Sequence, residues 1–371
     1  MKQFILSVCL LPCFSGVFAQ TFVTLPAGGG NLKCGISQQI GITDVTITWN
    51  APGVKGREGK IWGTTVVHYG FQNLGFGTAK ESPWRAGANE NTTMYFSTDV
   101  SIEGKPLAAG KYGFHIAVYP DSCTLIFSKN STAWGSFFYN PAEDALRVTV
   151  RQQKDIPQSR EWLAYEFQDQ TENSATVALL WEHWRIPFKV TVDVNKTVVD
   201  NLRRELQSDK GFTYENWMAA AQFCLQKGYN LEEALTWADN AIKPFAGVET
   251  FTTMSLKSQI EEKLGRSADA EATIKKALDK ATVMEMHQYG RQLIAQKKPE
   301  KAMEIFELNH TKNGDAWPVH VGLMRGYSAT GDLKKALEHA KKALTQAPDD
   351  LNRKNLEAAI KTLSEGKALV Q

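Results

Sequence analysis

The sequence predicts a molecule in two parts: an antiparallel β-sandwich followed by repeated helical hairpins, all-β and then all-α. Three observations carry that expectation. Short runs across residues 36–195 alternate apolar and polar side chains with a period of two. The period changes near Val198, where apolar residues begin to fall three and four apart. Beyond it, alanine pairs seven residues apart recur at a spacing that averages about 34, a period that marks stacked helix pairs.

The β-half begins, after a glycine-rich lead-in over 20–35, with Asp44–Trp49, where Val45, Ile47 and Trp49 share one face. Asn50-Ala51-Pro52-Gly53 supplies turn chemistry. Residues 53–60 are glycine-rich and basic but lack the glycine spacing, the Ser/Thr and the following helix of a phosphate-binding loop, so they are expected to be a mobile surface loop. Further strands are expected at Val66–Tyr69, Met94–Phe96, Asp99–Lys105, Lys111–Tyr119, Cys123–Phe127, Gly135–Phe138, Leu146–Val150, Trp162–Phe167, Thr176–Trp181 and Ile186–Val194. Gly70 to Lys80 reads as a long, insertion-like loop. In Lys111–Tyr119, Tyr112, Phe114, Ile116 and Val118 form the apolar face, and His115 lies opposite. Many short strands with regular turns and no helical pattern between them argue for a sandwich or barrel.

In the second half, residues 196–211 read as a connector built on a helix at Val199–Leu206. The pairs Ala234/Ala241, Ala270/Ala277, Ala302 with Asn309 in the second place, and Ala336/Ala343 are expected on the second helices of four hairpins. Small residues there let paired helices approach closely. Pro299 suits a first helical turn, Asp332 an N-cap, and Asn313-Gly314-Asp315 a break followed by a cap. Tyr327, the run Gly331–Leu337, Ala343 and Pro348 make the last unit resemble the tetratricopeptide family, and the resemblance extends over about 212–364. It implies protein or peptide partners bound on a concave face, or an array that props the sandwich.

Of the 371 residues, 43% are hydrophobic and 22% charged, and the formal net charge is +2. That balance argues against disorder, and it gives no electrostatic case for a nucleic-acid or anionic-membrane partner. Lys2, the apolar run Phe4–Phe14 and Val17-Phe18-Ala19 form an export signal over 1–19 with cleavage after Ala19, which implies a periplasmic or secreted protein. No later segment is apolar enough to span a bilayer. Cleavage leaves Cys34, Cys123 and Cys224, an odd number, so at least one thiol is free or bonded between molecules; a Cys34–Cys123 bridge is open. Neither the cysteines nor the seven histidines have metal spacing, and no cofactor is expected.

The candidate site is the stretch Pro83–Thr93, which packs an aromatic, a cation, an amide and a carboxylate into seven positions. Arg85 can make a two-pronged contact to a carboxylate or phosphate. Glu90 could act as a general base, Asn89 could orient a substrate or hold a positive-φ turn, and His115 is the candidate partner. Trp84 and Trp62, beside loops and glycines, are candidates for stacking on a glycan ring or a small ligand. The competing reading is a brace: Arg85 pairs with Glu90, Asn89 caps the turn and Trp84 fills the core.

Several segments in order, Ile47–Pro52, Gly56-Arg57, Lys60–Gly63, Tyr69-Gly70, Trp84–Thr93, Phe96–Val100 and Ala109–Gly113, resemble the exported bacterial domain-of-unknown-function family numbered 2911. The match covers about residues 36–192. His68 stands where that family is expected to have proline, and 71–82 is longer than in its short members. The resemblance implies export and a β-rich fold, and no established activity. The sequence therefore reads as an exported binding or scaffolding protein, more a binder than an enzyme, with a hydrolase-like or glycan-binding role for Trp84–Glu90 as the alternative.

Overall fold

The computed structural model describes residues 30–243 and 245–369. The signal at 1–19, most of the lead-in and the last two residues of the 365–371 tail lie outside the described residues. The chain divides into two compact units, 1–194 and 195–371.

The first unit holds eleven strands among its described residues, in two antiparallel sheets. One contains, in spatial order, β1 (Leu32–Ile40), β2 (Thr43–Ala51), β3 (Thr92–Phe96), β6 (Gly110–Val118), β7 (Cys123–Ser128) and β8 (Asp144–Val150). The other runs β5 (Lys105–Leu107), β4 (Val100–Ile102), β11 (Trp184–Thr191), β10 (Ser174–Glu182) and β9 (Arg160–Gln168). One core is shared by both sheets: Ile47, Phe96, Phe114 and Phe127 from the first meet Tyr165, Val177 and Phe188 from the second. The Trp49 indole donates to the Leu163 carbonyl at 3.0 Å, a hydrogen bond from one sheet to the other. The sandwich expectation holds.

Several element expectations change. β1 begins inside the supposed lead-in; as an edge strand with mostly exposed side chains, it shows no strong apolar alternation. Residues 53–60 are pinned rather than loose, with Val54 buried and its N–H donating to the Glu161 carbonyl at 2.7 Å. Val66–Tyr69 makes only isolated bridges, Trp62 with Val67 and Tyr69 with Val118. Gly135–Phe138 is a turn rather than a strand: Phe137 meets Phe76 edge-on and the Arg85 guanidinium, and Phe138 is exposed. On the outer face of the six-stranded sheet the packing comes from other residues. There Phe71, Ala79 and Tyr139 cover Ala117 and Ile126, so the 71–82 loop supplies a third layer and β6 is buried on both faces. His115, opposite the core face as expected, is thereby only 2% exposed. No Cys34–Cys123 bridge forms. Both thiols are free, and β1 and β7 are four strands apart, about 19 Å at the spacing of paired strands and far beyond disulfide reach.

Among the described residues, the second unit contains nine of the ten α-helices entire and most of the remaining one, α1 (Val194–Glu205), which starts before the expected connector helix. Four hairpins follow: α2 (Tyr214–Lys227) with α3 (Leu231–Asn240), α4 (Phe251–Lys263) with α5 (Ser267–Lys280), α6 (Val283–Ala295) with α7 (Pro299–Asn313), and α8 (Trp317–Thr330) with α9 (Leu333–Thr345). Helix α10 (Asp350–Ser364) packs against α9. All seven marker alanines are buried, on or at the end of the second helices. Asn309, also buried, takes its alanine's place by donating to the Val283 carbonyl at 3.0 Å. Asp332 caps α9 through the Lys335 N–H at 3.0 Å, and Pro299 opens α7. Asp315 does not cap α8, whose N-cap is Ala316; its carboxylate faces His310 at 3.1 Å instead.

One side chain organises the centre of this unit. Phe306 on α7 is fully buried, and methyl groups placed on Gly290 of α6 or on Gly322 and Gly326 of α8 would collide with its ring, the last two at 2.6 and 2.8 Å. Three positions without a side chain form the socket for that ring.

Candidate functional site

The stretch Pro83–Thr93 is fixed by β6. Strand β3 pairs with Gly110–Phe114, Trp84 then exchanges both backbone bonds with Ile116 (3.0 and 2.9 Å), and Gly70 donates to the Val118 carbonyl at 2.7 Å. One edge of β6 is thus relayed among three segments. Between Trp84 and β3 the chain makes a compact loop in which Ala86 and Asn89 both adopt positive φ (52° and 54°). The Ala86 carbonyl accepts from the Tyr165 hydroxyl at 2.8 Å and from Thr92 Oγ1 at 3.1 Å, which ties the loop to the opposite sheet.

The structure divides the six predicted site residues into three groups. Consecutive residues of an extended segment face opposite sides, so Trp84 and Arg85 separate. Trp84, 6% exposed, turns inward and packs in a cluster with Trp62, Trp181 and Trp184. Trp62 stacks on Trp184 with centroids 4.4 Å apart and meets Trp84 edge-on at 5.7 Å. Arg85 turns toward the outer layer, its guanidinium 4.7 Å from the Phe137 ring and donating to the Asn89 carbonyl at 2.6 Å. Gly135 is packed directly on that guanidinium and has φ +59°, so a side chain is excluded there twice over. Glu90 goes elsewhere: it accepts from the Asn50 amide at 2.5 Å.

The expected Arg85–Glu90 pair therefore does not form, and the brace is made of separate bonds. Asn89 holds the positive-φ turn as expected, and its side-chain oxygen accepts from Asn31 at 3.1 Å. His115 Nδ1 lies 3.0 Å from Ser136 Oγ, with the ring edge-on to Tyr139. Burial, and then the nearby charge of Arg85, push its pKa down to about 3, so it is neutral at ordinary pH. Burial also lowers the pKa of Arg85.

On the inward side of the stretch a cavity of ≈ 520 Å³ opens, walled by Trp84, Trp181, Pro52, Val66, Gly87 and Ala88, with Asn31, Lys55 and Arg57 around it. Lys55 and Arg57 were expected to belong to a plain surface loop and Trp181 to plain core. The one sequence signal available for the two cations is the basic cluster Lys55, Arg57 and Lys60 directly after the first alternating strand; Trp181 carries none.

The helical unit carries a second candidate surface. Two concavities, ≈ 540 and ≈ 370 Å³, share Met218 and Gln222 of α2, Thr252 of α4 and Glu285 of α6; a third, ≈ 330 Å³, shares Gln288 and Gln292 with the second. They make one groove along the first helices of successive hairpins. Its sides are largely Met, Gln and aromatic, including Phe251 and Tyr289, and the Glu285 carboxylate among them is engaged by the Thr282 N–H and hydroxyl, both at 2.8 Å. At the far end stand Arg291 and Arg325, neither in an ion pair among the described residues, and the half-buried Arg325 leaves its Nε without a partner. Burial, then the charge of Arg291, lower the pKa of Arg325. No metal-binding group of three or more ligands and no helix long and apolar enough to cross a membrane occur among the described residues.

Residues 33–190 match the model of a family described as a protein of unknown function (DUF2911), so the first unit is DUF2911-like; the match covers less than half of the chain. No curated protein matches the chain. Among solved structures, MamA 41-end from Desulfovibrio magneticus RS-1 aligns at 20% identity over 43% of this chain and 92% of that one, with a TM-score of 0.27. YrrB, described as a TPR protein with an unusual peptide-binding site, aligns at 15% identity over 45% and 91%, TM-score 0.27. A tetratricopeptide repeat protein from Parabacteroides merdae aligns at 13% identity over 47% and 70%, TM-score 0.30. The tetratricopeptide-like description rests on the chain's own four hairpins.

Proposed function

We propose that this is an exported binding protein whose helical unit holds an extended segment of a partner protein in the groove along α2, α4, α6 and α8. The observation that carries the reading is the groove itself. It is continuous across successive hairpins and lined by glutamines able to bond a peptide backbone, with Met and aromatic side chains between them. Arg291 and Arg325 at its far end favour a segment bearing a carboxylate. Export rests on the N-terminal sequence over 1–19.

Bracing without catalysis is the better-supported role for Arg85 and Glu90 in the first unit's Trp84–Glu90 stretch. Arg85 is occupied by a backbone carbonyl, Glu90 by Asn50, and the two do not converge on a common point with His115.

The test is a peptide array probed with the full chain, followed by anisotropy titration of the best binders. Binders rich in Asp, Glu or a free C-terminal carboxylate are expected, with at least tenfold weaker affinity for Arg325→Gln. Equal binding of basic and acidic peptides, or affinity unchanged in Arg325→Gln, sinks the proposal. Glu90→Gln is expected to leave peptide binding as it was.

A further inference from the structure

We infer that the cavity beside Trp84 in the first unit is a binding site for a small ring-bearing anion, a carboxylate or phosphate joined to one flat or sugar ring. The argument begins with charge. Lys55 and Arg57 form no ion pair among the described residues. Arg57 spends Nε and Nη2 on the carbonyls of Val54 and Gly53 (2.9 and 2.7 Å), which fixes the guanidinium at the rim and leaves Nη1 without a partner there. Two neighbouring carboxylates are engaged by backbone amides: Glu161 accepts from the Lys55 N–H at 3.0 Å and Glu182 from the Gly59 N–H, while Glu58, beside Arg57, is exposed.

The donors point the same way. The indole N–H groups of Trp181, which lines the cavity, and of Trp62, packed against it, are buried with no acceptor among the described residues. An orphaned buried donor costs about 1–3 kcal/mol, and a site with one such donor in its wall, a second packed behind it and two cations lacks an acceptor-rich, negative occupant. Pro52, Val66 and the Trp84 indole supply an apolar wall for a ring, and a volume of ≈ 520 Å³ lies within the range of small-molecule sites.

Backbone strain collects around the same place. Lys55 on one side, and Ala86 and Asn89 on the other, all have φ between 52° and 54°, a conformation that side-chain-bearing residues adopt at a cost of about 1–2 kcal/mol each. The loops carrying the two sides are held in unfavourable geometry, consistent with a shape kept for an occupant.

The experiment follows the tryptophan indole N–H resonances of the full chain by NMR, with Trp62 and Trp181 assigned from Trp→Phe variants. Glucuronate and 4-hydroxybenzoate are the ring-bearing carboxylate probes and glucose 6-phosphate the ring-bearing phosphate; glucose and inorganic phosphate are the controls. Saturable shifts at Trp181 or Trp62 are expected with at least one ring-bearing anion and not with either control, and the tightest probe identifies the ring and the charge. Lys55→Gln, which gives up only the contact of the ammonium with the Trp162 ring at 5.9 Å, is expected to weaken that binding at least tenfold with little change in the melting temperature. No shift with any ring-bearing anion, equal shifts with glucose or inorganic phosphate, or unchanged affinity in Lys55→Gln overturns the inference. Arg325→Gln leaves this binding untouched, so the outcome is independent of the peptide groove.

Discussion

The Nδ1 atoms of His320 on α8 and His339 on α9 lie 3.1 Å apart, a contact in which one ring must donate and the other accept. His320 is buried, and its Nε2 faces Asp315 at 3.5 Å; Tyr327 stacks on His339 at 5.6 Å. His310, Lys342 and Glu338 complete the charged surroundings. Burial first, and then the charges of His320 and Lys342, lower the His339 pKa to about 4; burial also lowers that of His320.

A pH dependence follows with a definite sign. A histidine whose folded pKa is depressed binds fewer protons folded than unfolded between the two values. Its contribution to stability is therefore complete above the unfolded value near 6.5 and is lost as pH falls from about 6.5 toward 4. His287, lowered to about 4 chiefly by burial, acts in the same direction. Melting of the helical unit, followed by circular dichroism at 222 nm, should drop over that window, and His339→Gln should flatten part of the drop. A melting temperature that stays constant from pH 7 to pH 4.5 contradicts this account.

Arg85 and Glu90 should respond unequally to substitution. Arg85→Ala strips a donor from the Asn89 carbonyl and empties the space between Phe137 and Gly135, at a cost of about 1–3 kcal/mol to the sandwich. Glu90→Gln keeps an oxygen for the Asn50 amide and should cost under about 1 kcal/mol. Urea denaturation followed by tryptophan fluorescence measures both. A larger loss from Glu90→Gln than from Arg85→Ala would show that the brace has been assigned to the wrong side chain.

Gly322→Ala sets two effects against each other. Alanine favours a helix interior by about 1 kcal/mol over glycine. The added methyl, however, meets the Phe306 ring at 2.6 Å, and overpacking of a closed core costs about 1–3 kcal/mol. Overpacking should win, and the helical unit should melt lower than the unmodified protein in a calorimetric scan. The control Gly228→Ala, where nothing lies within 4 Å but φ is +60°, isolates the backbone penalty.

The three thiols should separate in reactivity. Burial pushes the Cys123 thiol up to about 12 and Cys224 to about 11, whereas Cys34 on edge strand β1 is partly exposed. Ellman's reagent should titrate one thiol in the folded chain and three (of the chain lacking residues 1–19) in denaturant. Fast reaction of two or more thiols under native conditions contradicts the burial of Cys123 and Cys224.

The helical half was legible because its signal is local: two buried small residues seven apart, once per hairpin, are a direct imprint of two helices in contact, and even Asn309 fell where the pattern placed it. The sandwich was legible where one face is buried and the other is not, as in β2, and illegible where that contrast vanishes. Edge strand β1 has too little burial to alternate, and the aromatic run at 135–138 is a turn whose Phe137 packs on Phe76 and Arg85 without joining a sheet. At the site, Trp84, Arg85, Asn89 and Glu90 were visible as a cluster in sequence, but Trp84 and Arg85 diverge because neighbours in an extended segment face opposite sides, and the compact loop that follows sends Glu90 to Asn50 instead of Arg85. Lys55 and Arg57 come within reach of Trp181 only through the pairing of distant strands, which no local pattern records.

The socket around Phe306 sets the order in which the helical unit comes apart. Repeat arrays commonly fray one hairpin at a time from an end, each step opposed only by a nearest-neighbour interface. A ring on α7 gripped from both α6 and α8 welds the third and fourth hairpins into a single block, while α2 and α3 lack such a rivet. Amides of α6 and α8 should therefore exchange with solvent together and late, and those of α2 and α3 earlier. Arg291 and Arg325 ride on the block that opens last, so the charged end of the groove keeps its form after the opposite end has melted.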